Sequence, residues 1–156
     1  MHSRKGFTLI EILVVVAIIA ILASIVVYGV GPAQKKARDA RRLSDLHGVQ
    51  TLLEVYHQNA GKYPAASDWA TFTTAMTTPP AGTANTKVPD DQRAPAKHYL
   101  YETDATQSDY VLGAELEGQL PSTALTTNPL TPGSGIPCGP GSGNQPVATY
   151  CVTSNQ

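Results

Sequence analysis

Glu11 is the residue whose position asks for a chemical reason. It lies in KGFTLIEILVVV (5–16), where a basic residue and a glycine lead into a long apolar run. A carboxylate deep in lipid costs about 2.5–3.5 kcal/mol on insertion scales, so an intramembrane acid points to a function by default. The plainer alternative is a side chain that snorkels to the nearby interface. Other chemistry-bearing residues are few. Cys138 and Cys151 sit in a tail rich in Pro, Gly and Thr. A disulfide is the economical reading: it closes a loop of about 12 residues for roughly 2–3 kcal/mol in the chain-entropy model, and it implies an oxidising compartment. Two unpaired thiols in a cytosolic chain are the alternative. His2, His47, His57 and His98 are scattered, which leaves no zinc ligand set. Asp90, Asp91, Asp104 and Asp109 offer oxygens for calcium but lack the EF-hand pattern, so no metal site is expected. Arg93, Lys97 and His98 lack interleaved stacking aromatics and read as a solvated face, which makes nucleic acid an unlikely partner. With no G-x-S-x-G and no catalytic spacing of acids, neither an enzyme nor a cofactor is expected.

Around these residues the apolar run extends from Phe7 to Val30, roughly 24 residues, long enough for a hydrocarbon core of roughly 30 Å. Its apolar side chains point in all directions. A signal peptide fits poorly, because its apolar core is usually about 7–15 residues and ends at an A-x-A-like site that is missing here. A plain single-pass anchor is the stronger rival. Lys35, Lys36, Arg38, Arg41 and Arg42 outnumber Arg4 and Lys5, so the positive-inside rule alone would hold the C-terminal side in the cytoplasm.

Gly29, Gly31 and Pro32 should weaken or kink a helix at the end of the run. Beyond them the pattern becomes amphipathic. Ala33, Ala37, Ala40, Leu43, Leu46, Val49, Leu53 and Tyr56 recur at helical steps, and Lys36, Arg38, Asp39, Arg42, Asp45 and Gln50 are assigned to the opposite face. Asn59-Ala60-Gly61 supplies the stop and Pro64 bars continuation, which predicts one helix of roughly fifty residues. Ser67 is the expected N-cap of a short helix in which Trp69, Phe72 and Met76 share a face. Thr77 to Lys97 reads as loop. HYLYET (98–103), DYVLGAEL (109–116) and VATYCVT (147–153) read as strands, with Asp104 to Ser108 as a hairpin loop and Leu120 to Pro146 irregular. The fold class is therefore α+β, a long N-terminal helix on a small antiparallel sheet. With 15% charged residues and a net charge of −1, composition favours a loop-rich extracellular domain over a cytosolic enzyme or an acid-binding partner.

KGFTLIE followed by the apolar run resembles the N-terminal motif of type IV prepilins and of the related type II secretion pseudopilins. The likeness continues through ARDARRLSDLHGVQTLLEVYHQNAGKYP, which is similar to the Y-x-x-x-N-G-x-Y-P end of the pilin helix. After Ala65 only the style matches: a loop, a hairpin and a C-terminal cysteine pair. The resemblance implies a leader of residues 1–6, a membrane and assembly helix over 7–30, an amphipathic half over 31–63 and a globular domain over 64–156. It implies cleavage between Gly6 and Phe7 by a prepilin peptidase and N-methylation of Phe7. It implies a subunit of a type IV pilus that sits in the inner membrane before an assembly platform adds it to an extracellular filament of identical or related subunits. A pseudopilus subunit, or a minor pilin in DNA uptake or adhesion, is the alternative; the W-G pair usual before the sheet of the major pseudopilin is absent. The leader then stays cytoplasmic, against the positive-inside count. Glu11 acquires a role: buried among helices, it would meet the new ammonium of a neighbouring Phe7 and set axial register. Such a pair adds little net stability, while removing one partner costs about 3–5 kcal/mol.

Overall fold

The computed structural model describes residues 6–66, 68–79, 82, 86–130, 135–141 and 148–154, with the backbone only at 26–29. The leader residues 1–5, Ser67 as a capping residue and Val147 as a strand residue lie outside this description. The chain divides into two compact units, one ending at Lys35 and one beginning at Lys36.

One helix, α1, runs over Leu9–Ala60, 52 residues. Within the first unit its side chains from Leu9 to Ile25 are exposed. This helix is long and apolar enough to cross a membrane. The single helix of roughly fifty residues is as expected, and Pro32 lies inside it. Proline removes one N–H and crowds one turn, at about 3 kcal/mol, and the helix continues through it.

The second unit holds the rest of α1, a short helix α2 (Trp69–Thr77) and three strands: β1 (Leu100–Thr103), β2 (Tyr110–Leu116) and β3 (Ala148–Thr153). The strands form an antiparallel sheet in the order β1-β2-β3. Tyr101 lies opposite Leu112, and Gly113 opposite Cys151. α1 stops where glycine permits it: Gly61 takes φ +69° and donates its N–H to the His57 carbonyl at 2.7 Å, a left-handed helix end. α2 is capped by Asp68, not Ser67; the Asp68 carboxylate accepts the Thr71 N–H at 2.8 Å. A carboxylate immediately before Trp69 reaches the free N–H groups of the first turn.

β2 is central and buried on both faces. On one face Tyr110, Leu112 and Ala114 meet Leu46, Val49 and Leu53 of α1 together with Trp69, Phe72 and Met76 of α2. Aromatic rings fill this layer: Phe72 stacks on Tyr101 at 4.3 Å, and Tyr110 meets Tyr63 edge-on at 4.7 Å. On the other face Val111 and Cys151 pack with Ile136, and Leu100, Leu125, Leu130 and Cys138 close around them. Gly113 allows this close cover, because a Cβ there would come within 3.2 Å of Ile136.

The period of the α1 stripe is as expected, but its upstream phase is not. Ala33, Ala37 and Ala40 are exposed, and the buried line runs Leu53, Val49, Leu46, Arg42, Asp39. Asp39 and Arg42, assigned to the solvent side, are therefore buried against the domain, and Arg38, Asp45 and Gln50 of the same side are partly buried against it. The steps of three and four are the same, but ionic partners supply the burial where apolar residues were expected.

Candidate functional site

The helix start is built by two side chains. Thr8 precedes the first turn of α1, and its hydroxyl accepts the Glu11 N–H at 3.3 Å. Glu11 reaches back: its Oε2 accepts the Thr8 N–H at 2.9 Å and the Thr8 hydroxyl at 2.8 Å. This is a reciprocal capping box, Thr-x-x-Glu, which satisfies two backbone donors at a helix start. The sequence carries the signal in TLIE, hidden by the attention its acid draws as a charge in lipid. Both bonds land on Oε2, and no hydrogen bond from the described residues reaches Oε1. Around this polar turn the surface is bare and apolar: Phe7 is 85% exposed and Leu9 82%. Gly6 and Phe7 lie just ahead of the helix, with open space about Gly6.

The domain end of α1 is held by a charged cluster. The Arg42 guanidinium is fully buried and has three acid partners: Asp91 at 2.9 Å, Asp39 at 2.6 Å and Glu117 at 2.9 Å. Arg38 takes Glu117 in a fork, at 2.9 and 2.5 Å. The Asp39 carboxylate also accepts the N–H groups of Glu117 and Gly118, at 3.0 and 2.8 Å. The helix is thereby tied to the end of β2 and to the loop carrying Asp91. The bonds from Arg38, then those from Arg42, hold the Glu117 carboxyl at about 2. Burial pushes Asp91 up, but the bonds from Arg93 and Arg42 outweigh it and hold the carboxyl below its usual range. Burial works against the charge of Arg42, and its three carboxylate bonds more than restore it. Further along, Asp45 accepts the Tyr99 hydroxyl at 2.8 Å; burial, then this bond, raises the phenol. Gln50 donates to the Thr153 carbonyl at 3.2 Å.

The four aspartates considered for calcium are distributed among other tasks. Asp91 serves Arg42 and Arg93, and Asp90 meets His98 at 2.7 Å. Asp104 accepts the backbone N–H groups of Thr106, Ser108 and Asp109 and so shapes the hairpin loop. Among the described residues no group of three or more potential ligands converges. Arg93 and Lys97 are not simply solvated, since both pair with Glu115. Cys138 and Cys151 form a disulfide, 13 residues apart in the chain, which fastens the irregular tail to β3.

A capped apolar helix with an exposed surface, continuous with a helix end clamped into a small α+β domain, is the architecture of a helix-anchored domain. Comparison with known proteins makes this specific. Residues 1–27 match the family model described as the prokaryotic N-terminal methylation motif. The chain is 30% identical over 113 residues to type II secretion system core protein G of Pectobacterium carotovorum subsp. carotovorum, covering 71% of this chain and 67% of that protein. It is 33% identical over 111 residues to the protein of the same name from Escherichia coli (strain K12), covering 70% and 72%. It is also 40% identical over 63 residues to the type IV wide pilus major component PilA4 of Thermus thermophilus, covering 40% and 48%. No solved structure matches. The chain belongs to the family of type IV pilins and type II secretion pseudopilins.

Proposed function

We propose that the chain is the repeating subunit of a pseudopilus in a type II secretion system, cleaved between Gly6 and Phe7 and methylated at Phe7. The observation that carries this reading is the length of two matches to relatives named for secretion, 113 and 111 residues, where PilA4 and four other secretion relatives are matched over 63 or 64. The PilA4 match supports a type IV pilus as the second reading.

In this proposal a prepilin peptidase removes the leader, and α1 stays in the inner membrane until an assembly platform lifts it out. The bare surface of Leu9–Ile25 first meets lipid and then the helices of neighbouring subunits. Thr8 and its N–H remain after cleavage, so the capping box persists and holds the Glu11 carboxylate in place. With two bonds on Oε2, Oε1 is left for the ammonium of a neighbouring Phe7. Preorientation by Thr8 reduces the ordering cost of that contact. The role is structural, and we assign no catalysis to the chain.

Glu11→Ala tests the assembly role. It should insert and be processed normally, since a polar group leaves an apolar run, yet give at least about tenfold fewer filaments, because each subunit brings a cation with no partner. Wild-type filament yield at equal membrane abundance would refute it. Mass spectrometry of the filaments should find a methylated chain beginning at Phe7. Deletion of the gene separates the two machines: loss of exported proteins with surface pili retained marks the pseudopilus, and the reverse marks the pilus.

A further inference from the structure

β1 is the outer strand of the sheet and has β2 on one side only. The Asp104 N–H bonds to the Asp109 carbonyl at 3.2 Å, and Glu102 lies opposite Val111 two residues further along the same register. Antiparallel pairs alternate between hydrogen-bonded and non-bonded, so the main-chain groups of Tyr101 and Thr103 point away from β2. No hydrogen bond from the described residues meets these outward groups.

A groove of about 500 Å³ follows this edge, lined by β1 and by Ala66, Trp69 and Ile136 among others. Trp69 belongs to the helix-side layer and Ile136 to the tail-side layer, so the groove opens between the layers where the sheet ends. It is continued past Thr103 by a more open hollow reaching Asp104 and Gln107. Two residues of its lining each carry a buried polar atom that has no partner among the described residues: the indole N–H of Trp69, a residue only 7% exposed, and Oε2 of Glu102. Buried donors and charged acceptors are normally satisfied, and exceptions ask for a reason.

We propose that this edge is a strand-addition slot that takes an extended segment of a partner polypeptide bearing a lysine or arginine. The outward N–H and C=O groups of β1 are complementary to another extended backbone, which is how an edge strand recruits a peptide. An incoming carbonyl would satisfy the Trp69 indole. The charged residues lining the groove, Asp68 and Glu102, are both acidic. The Asp68 carboxylate is engaged at the α2 cap, which leaves Glu102 to select a cation. The same charge opposes self-pairing: two β1 edges meeting would bring two Glu102 side chains together, an unfavourable cross-strand combination. The occupant is thus a strand of another polypeptide. The slot is built from residues other than those of the helix surface assigned to assembly, so it stands or falls apart from that role.

The test uses the full chain in detergent micelles and a short synthetic peptide of alternating Thr and Val with one central Lys, capped at both ends. On binding, the Trp69 indole proton resonance should shift, and amide exchange at Tyr101 and Thr103 should slow by at least about tenfold. A peptide with Glu in place of Lys should bind at least about tenfold more weakly. Glu102→Gln should erase that preference, and Trp69→Phe should weaken binding severalfold while keeping the aromatic packing. Absence of binding up to about 1 mM, equal binding of a peptide N-methylated along its backbone, or concentration-dependent protection of the same amides without peptide would each overturn the proposal.

Discussion

Leu9 to Ile25 and Asp39 to Leu53 are parts of one helix, yet they treat their side chains in opposite ways. The first stretch buries none of its apolar residues, and its one acid is tied to Thr8 within its own turn. The second buries Leu46, Val49 and Leu53 and sinks Arg42 among three carboxylates from different parts of the chain. A helix closes its backbone hydrogen bonds internally, so its side chains are free to specify either a particular neighbour or none. Apolar surface accepts lipid and helices alike, whereas a forked guanidinium accepts one geometry. The first stretch is therefore suited to more than one apolar environment, and the second is committed to its own domain. If this division holds, damage to one stretch should leave the other's property untouched.

The largest effect is expected at Arg42. Arg42→Ala leaves Asp39, Asp91 and Glu117 clustered without their common cation, and breaking a buried pair costs about 3–5 kcal/mol. Thermal unfolding in micelles should drop accordingly, while membrane abundance stays at the wild-type level. A loss below about 1 kcal/mol would mean that the cluster behaves like surface ion pairs, and the division would lose its energetic basis.

Removing the disulfide should cost somewhat less. Cys151 is fully buried beside Val111 and Ile136, and a loop of this length contributes roughly 2–3 kcal/mol in the chain-entropy model. Cys138→Ser with Cys151→Ser should lower the unfolding midpoint without altering membrane insertion, and reductant should then have no further effect. Equal stability of this variant and the wild type would show that the tail is held by packing alone.

Acid should open the same division gradually. Glu117 is held at about 2 against an ordinary 4.5, and Asp91 is lowered as well. A carboxyl whose folded value is depressed contributes stability above its unfolded value and loses it as pH falls through the folded one. Midpoints measured against pH should therefore hold above about 4.5 and decline from there towards about 2. Glu117→Gln should flatten part of that slope; an unchanged slope would place the acid sensitivity elsewhere.

These residues also mark what was legible in the sequence. Leu46, Val49 and Leu53 show themselves by spacing, Gly61 and Pro64 by turn chemistry, and the strands by their Tyr, Val and Leu content. Arg42 and Asp39 do not, because periodicity reports the direction a side chain points and not what lies there. Their burial depends on Asp91 and Glu117, 49 and 75 residues from Arg42, and no local pattern joins positions so far apart. The Asp68 cap was missed for a smaller reason: Ser67 and Asp68 are both good capping residues, and composition does not choose between neighbours. At the N-terminus the sequence revealed the charge of Glu11 while its partner, Thr8, stayed unread.

Thr8 therefore carries the smallest and most discriminating prediction. Thr8→Ala removes the hydroxyl that accepts from Glu11 and donates to it, but keeps the Thr8 N–H and the acid. A lost cap costs about 1 kcal/mol, so the first turn of α1 should fray and amide exchange at Glu11 should rise by roughly fivefold. Domain unfolding should not move, because nothing between Asp39 and Leu53 has changed. If Glu11 needs its hydroxyl partner in order to face a neighbour's amine, filament yield should fall, though less than in Glu11→Ala, and Thr8→Ser should restore it by supplying the hydroxyl again. If Thr8→Ala frays the turn while yield stays normal, the cap and the register contact are independent, and Glu11 alone carries assembly. If Thr8→Ser fails to rescue, the threonine methyl matters instead, and the first turn acts by packing against its neighbours.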